Sequence, residues 1–195
     1  ISVGTPVSNS GTVNTTAIKS SCQSVGRILK VGDHVMIRST VPVGLTRSLV
    51  APILEKTSGL IVGKDIFVSF TPERTAEGVA IEELKSLPQI VGSYSQKCQE
   101  KALHFWNKIC PSLVAMKSLE AAELVKLSNN TFRDLSFAFA NELSFLADKY
   151  NVNAFELISA ANEGYPRNKI SKPSPGVGGY CLTKDPLLYH NSFGD

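Results

Sequence analysis

The sequence has 195 residues, 43% of them hydrophobic, with 20 basic and 17 acidic side chains for a formal charge of +3. That much apolar material can bury a core and excludes whole-chain disorder; charges scattered without a long run of one sign exclude a surface built to track a nucleic acid. No apolar run approaches the ~20 residues that span a bilayer and no signal-peptide pattern opens the chain, so no membrane partner and a cytoplasmic location are expected.

The chain opens inside an apolar, strand-like run from Ile1 to Val3 with no initiating methionine, as a fragment would. Thr5-Pro6 follows at that strand's end. Further β-rich runs are predicted at 35–38, 66–70 and 113–116, with helical spacing of apolar residues at 46–56 and 95–109 between them. In a β-α-β-α-β order each helix returns the chain to a new parallel strand, which places ligand-binding loops at the carboxyl ends of the strands. Two loops sit there: Ser39-Thr40-Val41-Pro42-Val43-Gly44, and Phe70-Thr71-Pro72-Glu73-Arg74-Thr75-Ala76-Glu77-Gly78. The Thr40 hydroxyl suits a water or a sugar hydroxyl and Glu73 suits a proton, while a turn and a helix cap explain the same residues equally well.

From Ser118 to Lys149 there is no Pro or Gly, which predicts a single helix of roughly 30 residues. At about 100° per residue Glu123, Lys126, Asn130, Arg133 and Asn141 share a stripe of roughly 80°. A solvated face would explain the stripe without function; because Phe132, Leu135, Phe139, Leu143 and Phe145 leave so little other polar surface, the helix is instead expected to be mostly buried, with Lys126 and Asn130 aimed at one point as donors to a developing oxyanion. A helix at 154–161 follows the turn Asn151-Val152-Asn153, and Gly164, Pro166, Pro173, Pro175, Gly176, Gly178 and Gly179 mark a long irregular loop.

That loop leads into Gly178-Gly179-Tyr180-Cys181-Leu182-Thr183-Lys184-Asp185. Glycines let backbone N–H groups approach a ligand, a nearby lysine favours a thiolate, and a carboxylate can move protons or orient water, which is an environment for a nucleophilic cysteine; a buried structural thiol is the alternative. Gly176-Val177-Gly178-Gly179 follows helices, and no regular helix is expected after it, so it does not satisfy the context of a dinucleotide fingerprint; no G-x-G-x-x-G occurs in the chain. Cys22, Cys98 and Cys110 read as small buried hydrophobes. His34, His104 and His190 show no ligand spacing, and no metal is expected.

In this order, Thr5-Pro6, Ser39-Thr40-Val41-Pro42, Pro72-Glu73 with Glu77-Gly78, Lys126 with Asn130, and Gly178-Gly179-Tyr180-Cys181 with Lys184-Asp185 resemble the motifs of the UDP-glucose/GDP-mannose dehydrogenase family over nearly the whole chain. The resemblance implies an α/β fold: the second half of a Rossmann-like parallel sheet, in a partial NAD-binding domain at 1–117, then a mainly α-helical central domain with a long helix, for dimerisation and catalysis, at 118–195. It implies NAD as cofactor and a UDP-sugar as substrate, oxidised twice from alcohol to carboxylate for polysaccharide precursor synthesis.

By the same resemblance Cys181 is the nucleophile that forms a thioester, Lys126 and Asn130 stabilise oxyanions, Asp185 assists proton movement and hydrolysis, and Thr40 and Glu73 position the water. Thr5, Thr40, Glu73 and Lys184 lie along the cofactor. Glu73, Lys126, Asn130, Asn141, Gly176 and Gly178 contact the nucleotide-sugar, and Arg167 resembles an arginine that reaches a neighbouring subunit's substrate. Pro-Glu-Arg resembles the branch acting on UDP-N-acetylhexosamines, and Ser171 stands where some of that branch have histidine. A homodimer along the long helix is expected. A β-hydroxyacid dehydrogenase, which performs one oxidation and needs no cysteine, and a dimerising fragment without activity are the competing readings; a cysteine hydrolase lacks a placed histidine base.

Overall fold

Apolar residues at alternate positions build a sheet with both faces covered. The computed structural model describes residues 1–8, 11–76, 78–167 and 169–193. It divides into two units, Ile1–Leu127 with Leu187–Asp195, and Ser128–Pro186. The first unit holds helix α1 (Thr16–Gly26), strand β1 (His34–Ile37), a π-helical turn (Thr46–Val50) that runs into α2 (Ala51–Ser58), β2 (Phe67–Phe70), α3 (Ala80–Ser86), β3 (Gln89–Ser93), α4 (Gln96–Trp106) and β4 (Leu113–Ala115). The 31-residue α5 (Leu119–Lys149) begins in this unit and continues into the second. Beyond it come α6 (Ala154–Asn162) and α7 (Asp185–His190). No helix among the described residues is long and apolar enough to cross a membrane.

The sheet order is β1-β2-β3-β4. β1 and β2 are parallel, β2 and β3 antiparallel, and β3 and β4 parallel. Side chains alternate across a strand, so Val35 and Ile37 of β1 and Ile90 of β3 join Ile18, Leu54 and Leu119 in one core, while Val91 packs with Ala102 and Trp106 in the other. β2 is buried along its whole length, as a strand covered on both faces must be. The α/β architecture with a long following helix is therefore as expected. At Gly92 an added Cβ would come within 2.4 Å of the Ser118 carbonyl oxygen and 2.6 Å of the Ala122 Cβ, so glycine is what lets the start of α5 seat against β3.

Four details differ from the sequence expectation. The strand β3 was not predicted, and it runs antiparallel to β2: the loop after Phe70 and the short α3 bring the chain back at the end of the sheet it had just left. Ile1–Val3 lies along β1, with Ile1 N–H donating to Met36 O at 2.7 Å and Arg38 N–H to Ile1 O at 2.9 Å, but it forms no continuous ladder. A regular helix, α7, does follow the glycine-rich loop, beginning six residues after Gly179. Finally, α5 is not mostly buried: Phe132 is 71% and Phe145 69% exposed, with Leu135, Phe139 and Leu146 also exposed, because nothing in the described chain covers that face.

One buried polar chain crosses the sheet. His34 Nε2 lies 2.8 Å from Ser69 Oγ, which is 2.7 Å from Ser93 Oγ. Burial, and then the charge of Lys101, push the imidazole down to about 4 from its usual 6.5. The folded chain thus refuses a proton that the unfolded chain accepts, so this contribution to stability is full above about pH 6.5 and is lost as pH falls toward 4. On the order of 2 kcal/mol should disappear over that window, and His34→Gln, which retains a partner for Ser69, should flatten the dependence in urea titrations at pH 7 and pH 4.5.

Candidate active site

In the first unit, the loops past the strand ends carry the expected polar groups. The Thr5 hydroxyl donates to Thr40 O at 2.5 Å, and Val3 N–H donates to Ser39 Oγ at 2.7 Å, so Thr5 and Thr40 are brought together with Thr5 buried. Glu73 is held by its own surroundings. One carboxylate oxygen accepts the Arg38 guanidinium and the other accepts the N–H groups of Arg74 and Thr75, each at 2.9 Å. Burial works to raise this carboxyl, but the Thr75 N–H bond and then Arg38 outweigh it and hold Glu73 at about 2. At neutral pH it is a fixed carboxylate and a weak base, suited to orienting a donor rather than removing a proton. Glu77, expected in the same motif, lies outside the described residues.

Arg38 is a residue that sequence reasoning missed, although it immediately precedes Ser39-Thr40. Its guanidinium lies over the Trp106 ring, 4.8 Å from the centroid, and donates to Gln89 Oε1 at 3.4 Å. It thereby joins the end of β1 to the loop after β2.

On α5, Lys126 stands one turn before Asn130, as the sequence predicts. Of the stripe that holds them, Glu123 and Asn130 are buried, Lys126 and Asn141 half-buried and Arg133 exposed. Burial raises the Glu123 carboxyl, and its bonds from the N–H groups of Gly44 and Thr46 oppose that rise.

In the second unit, three expected residues form one buried network. Asp185 is fully buried; its Oδ2 accepts the Asn130 amide at 2.5 Å and its Oδ1 accepts the Lys184 ammonium at 2.6 Å. The lysine expected to favour a thiolate at Cys181 thus gives its charge to Asp185. Cys181 itself is exposed, while Cys22, Cys98 and Cys110 are buried, as expected of structural thiols. The Cys181 carbonyl accepts the Asp185 N–H at 2.9 Å, and Gly179, at φ +91°, makes the turn that presents the thiol. Backbone geometry therefore ties the nucleophile candidate to the buried carboxylate one turn later.

The remaining candidates also lie in this unit. Asn141 Oδ1 accepts Ser174 N–H at 2.9 Å, and the Ser174 hydroxyl donates to Gly176 O at 3.0 Å, so α5 holds the glycine-rich loop in place. A groove of about 610 Å³ lies here, lined by Asn141, Ser144, Phe145, Asp148, Phe155 and Ser174. A Cβ added at Gly176 or Gly178 would meet nothing within 4 Å, so close packing at that atom does not itself demand glycine there. Arg167 is exposed and stacks on Tyr165 at 5.1 Å, apart from the network. Its loop is clasped by Asn162, whose amide donates to Ile170 O at 2.9 Å and accepts Ile170 N–H at 2.8 Å, a second role the sequence reading missed. Among the described residues no cluster of His, Cys, Asp or Glu could hold a metal ion.

Two family models match the chain: the UDP-glucose/GDP-mannose dehydrogenase family NAD binding domain over residues 1–110, and the central domain of the same family over residues 120–193. A UDP-N-acetyl-D-mannosamine dehydrogenase of Campylobacter jejuni is 38% identical over 182 residues, covering 89% of this chain and 44% of the relative. An NDP-N-acetyl-D-galactosaminuronic acid dehydrogenase of Ralstonia solanacearum is 38% identical over 192 residues, 95% of this chain and 45% of the relative. The solved UDP-D-ManNAc dehydrogenase of Pyrococcus horikoshii superposes with a TM-score of 0.92 at 36% identity, over 98% of this chain and 45% of that one. The chain spans under half the length of these relatives.

Proposed function

Because the chain belongs to the UDP-glucose/GDP-mannose dehydrogenase family, we propose that it supplies the catalytic cysteine and the oxyanion donors of an NAD-dependent UDP-sugar 6-dehydrogenase. The substrate is a UDP-N-acetylhexosamine, and its C6 hydroxymethyl group becomes a carboxylate for polysaccharide precursor synthesis in the cytoplasm. The names of the relatives and Arg74 within Pro-Glu-Arg support that choice of sugar. A partial NAD-binding domain at 1–117 and a central domain at 118–195 divide the work.

The observation that carries the reading is an exposed thiol on a glycine turn whose backbone is bonded to Asp185, with Asp185 in turn fixed by Asn130 and Lys184. The Cys181 sulfur adds to the C6 aldehyde carbon, and after the second oxidation the same carbon is held as a thioester. Lys126 and Asn130 donate to the C6 oxygen where negative charge gathers. Asp185 assists proton movement and hydrolysis of the thioester, and the role proposed for Thr40 and Glu73 is to position the water. Asn141 holds the loop whose Gly176 and Gly178 leave room for the nucleotide-sugar, and Arg167 reaches the substrate of a neighbouring subunit.

Thr5, Thr40 and Glu73, past the strand ends of the first unit, would line NAD, and a cofactor contact is proposed for Lys184 as well. The fit is supported by the Thr71 hydroxyl at the same strand ends, buried and without a hydrogen-bond partner among the described residues. NAD, when bound, supplies the acceptor for both oxidations. The test is stoichiometry in the complete enzyme: two NADH formed per UDP-sugar consumed supports the reading, and a single NADH would instead indicate a one-step hydroxyacid-type oxidation.

The partner is a second copy of the chain. The exposed face of α5, with Phe132, Leu135, Phe139 and Phe145, supports a homodimer along this helix. Phe139→Asp with Phe145→Asp should shift sedimentation from dimer to monomer; an unchanged dimer would place the contact elsewhere.

A further inference from the structure

Glu123 is a carboxyl group for which the chemistry above has no use, and it has no exposure to solvent. It stands one helical turn before Lys126 on α5. Its oxygens accept separate backbone donors: Oε2 takes the Gly44 N–H at 2.5 Å, and Oε1 takes the Thr46 N–H at 3.0 Å. Both donors belong to the segment that leaves β1 through Ser39 and Thr40 and, with Gly44 at φ +86°, turns into the helical stretch beginning at Thr46.

Helix starts are ordinarily capped by a Ser, Thr, Asp or Asn of the same segment. Here no side chain of the segment caps it, and the acceptor comes from 77 residues further along the chain. A cap from so far away joins two parts of the fold. One turn of α5 earlier, Glu120 pairs with Arg47 at 2.5 Å, so the same two segments are joined again at the exposed rim. A buried carboxylate is costly unless its lone pairs are satisfied, and this one accepts at both oxygens.

We propose that Glu123 is a positioning residue: by accepting the Gly44 and Thr46 N–H groups it locks the Thr40 loop to the turn of α5 that carries Lys126. The two side chains then meet the sugar in a fixed relation. This role rests on the functions proposed above for Thr40 and Lys126. A carboxylate is required because each of its oxygens faces an N–H; an amide of the same shape would turn its NH2 toward one of them.

In the complete enzyme Glu123→Gln is expected to lower kcat roughly tenfold to a hundredfold, with KM for the UDP-sugar changed by less than about twofold. Glu123→Asp, which retains both acceptors on a shorter stem, should lie between parent and Gln. In the same Glu123→Gln protein the amides of Gly44 and Thr46 should exchange faster while those of β3 do not. A folded Glu123→Gln enzyme with kcat within about twofold of the parent overturns the inference, as does a loss of activity that only follows the loss of folded protein. Thr40→Val and Lys126→Met separate the two levels: if they remain fully active, the proposed site roles fail, and if they are impaired while Glu123→Gln is not, the positioning role alone fails. Should Glu123→Gln not fold, Glu123→Asp carries the same comparison.

Discussion

On the proposed mechanism, Cys181→Ala in the complete enzyme is expected to form one NADH per UDP-sugar against the two expected of the parent, and to lose roughly 10³-fold or more of the rate to acid. An aldehyde carbon has no bond arrangement that can be oxidised further by hydride loss until a nucleophile adds to it, and the added sulfur provides one. Cys181 is the one exposed cysteine of the four, and Cys22, Cys98 and Cys110 are buried. Slow addition of water to a released aldehyde is the residual pathway, so the variant should accumulate an aldehyde that reacts with a carbonyl reagent. Full two-NADH turnover in Cys181→Ala would remove the sulfur from the mechanism.

Asp185→Ala should destabilise the chain by about 3–5 kcal/mol, because it leaves the Lys184 ammonium buried without its partner. The side chains are 8% and 0% exposed, and the pair is 2.6 Å apart, so solvent screens it little. The Asn130 amide loses its acceptor in the same change. Adding Lys184→Met should recover most of the stability by removing the unpaired charge, although activity would stay lost. Guanidinium unfolding midpoints of the single and double variants read this directly. A cost below about 1 kcal/mol for Asp185→Ala, the range of exposed pairs, would show that the network is solvated.

The long helix was legible because 118–149 holds no Gly or Pro, and α5 spans Leu119–Lys149. The α6 start was legible from Asn153, whose side chain accepts the N–H groups of Phe155 and Glu156. β3 was not, since Gln89, Gly92 and Ser93 interrupt its apolar run, and its direction depends on how the loop after Phe70 packs. The helical period grouped Glu123, Lys126, Asn130, Arg133 and Asn141 on one stripe, but a period does not tell which of them face inward, and Arg133 is exposed. On α5 that is decided by partners distant in the chain, Gly44 and Thr46 for Glu123 and Asp185 for Asn130. Likewise, sequence spacing put Lys184 near Cys181, whereas the side chain turns to Asp185, and the role of Arg38 emerges only when β1 and the Glu73 loop are seen side by side.

The most direct test is the sulfur itself during turnover. Complete enzyme mixed with UDP-N-acetylmannosamine and NAD, quenched in acid and digested, should yield the Cys181 peptide carrying the uronyl nucleotide as an acyl group, released by hydroxylamine. A Cys181 peptide that stays unmodified through turnover while two NADH form per sugar would contradict the account.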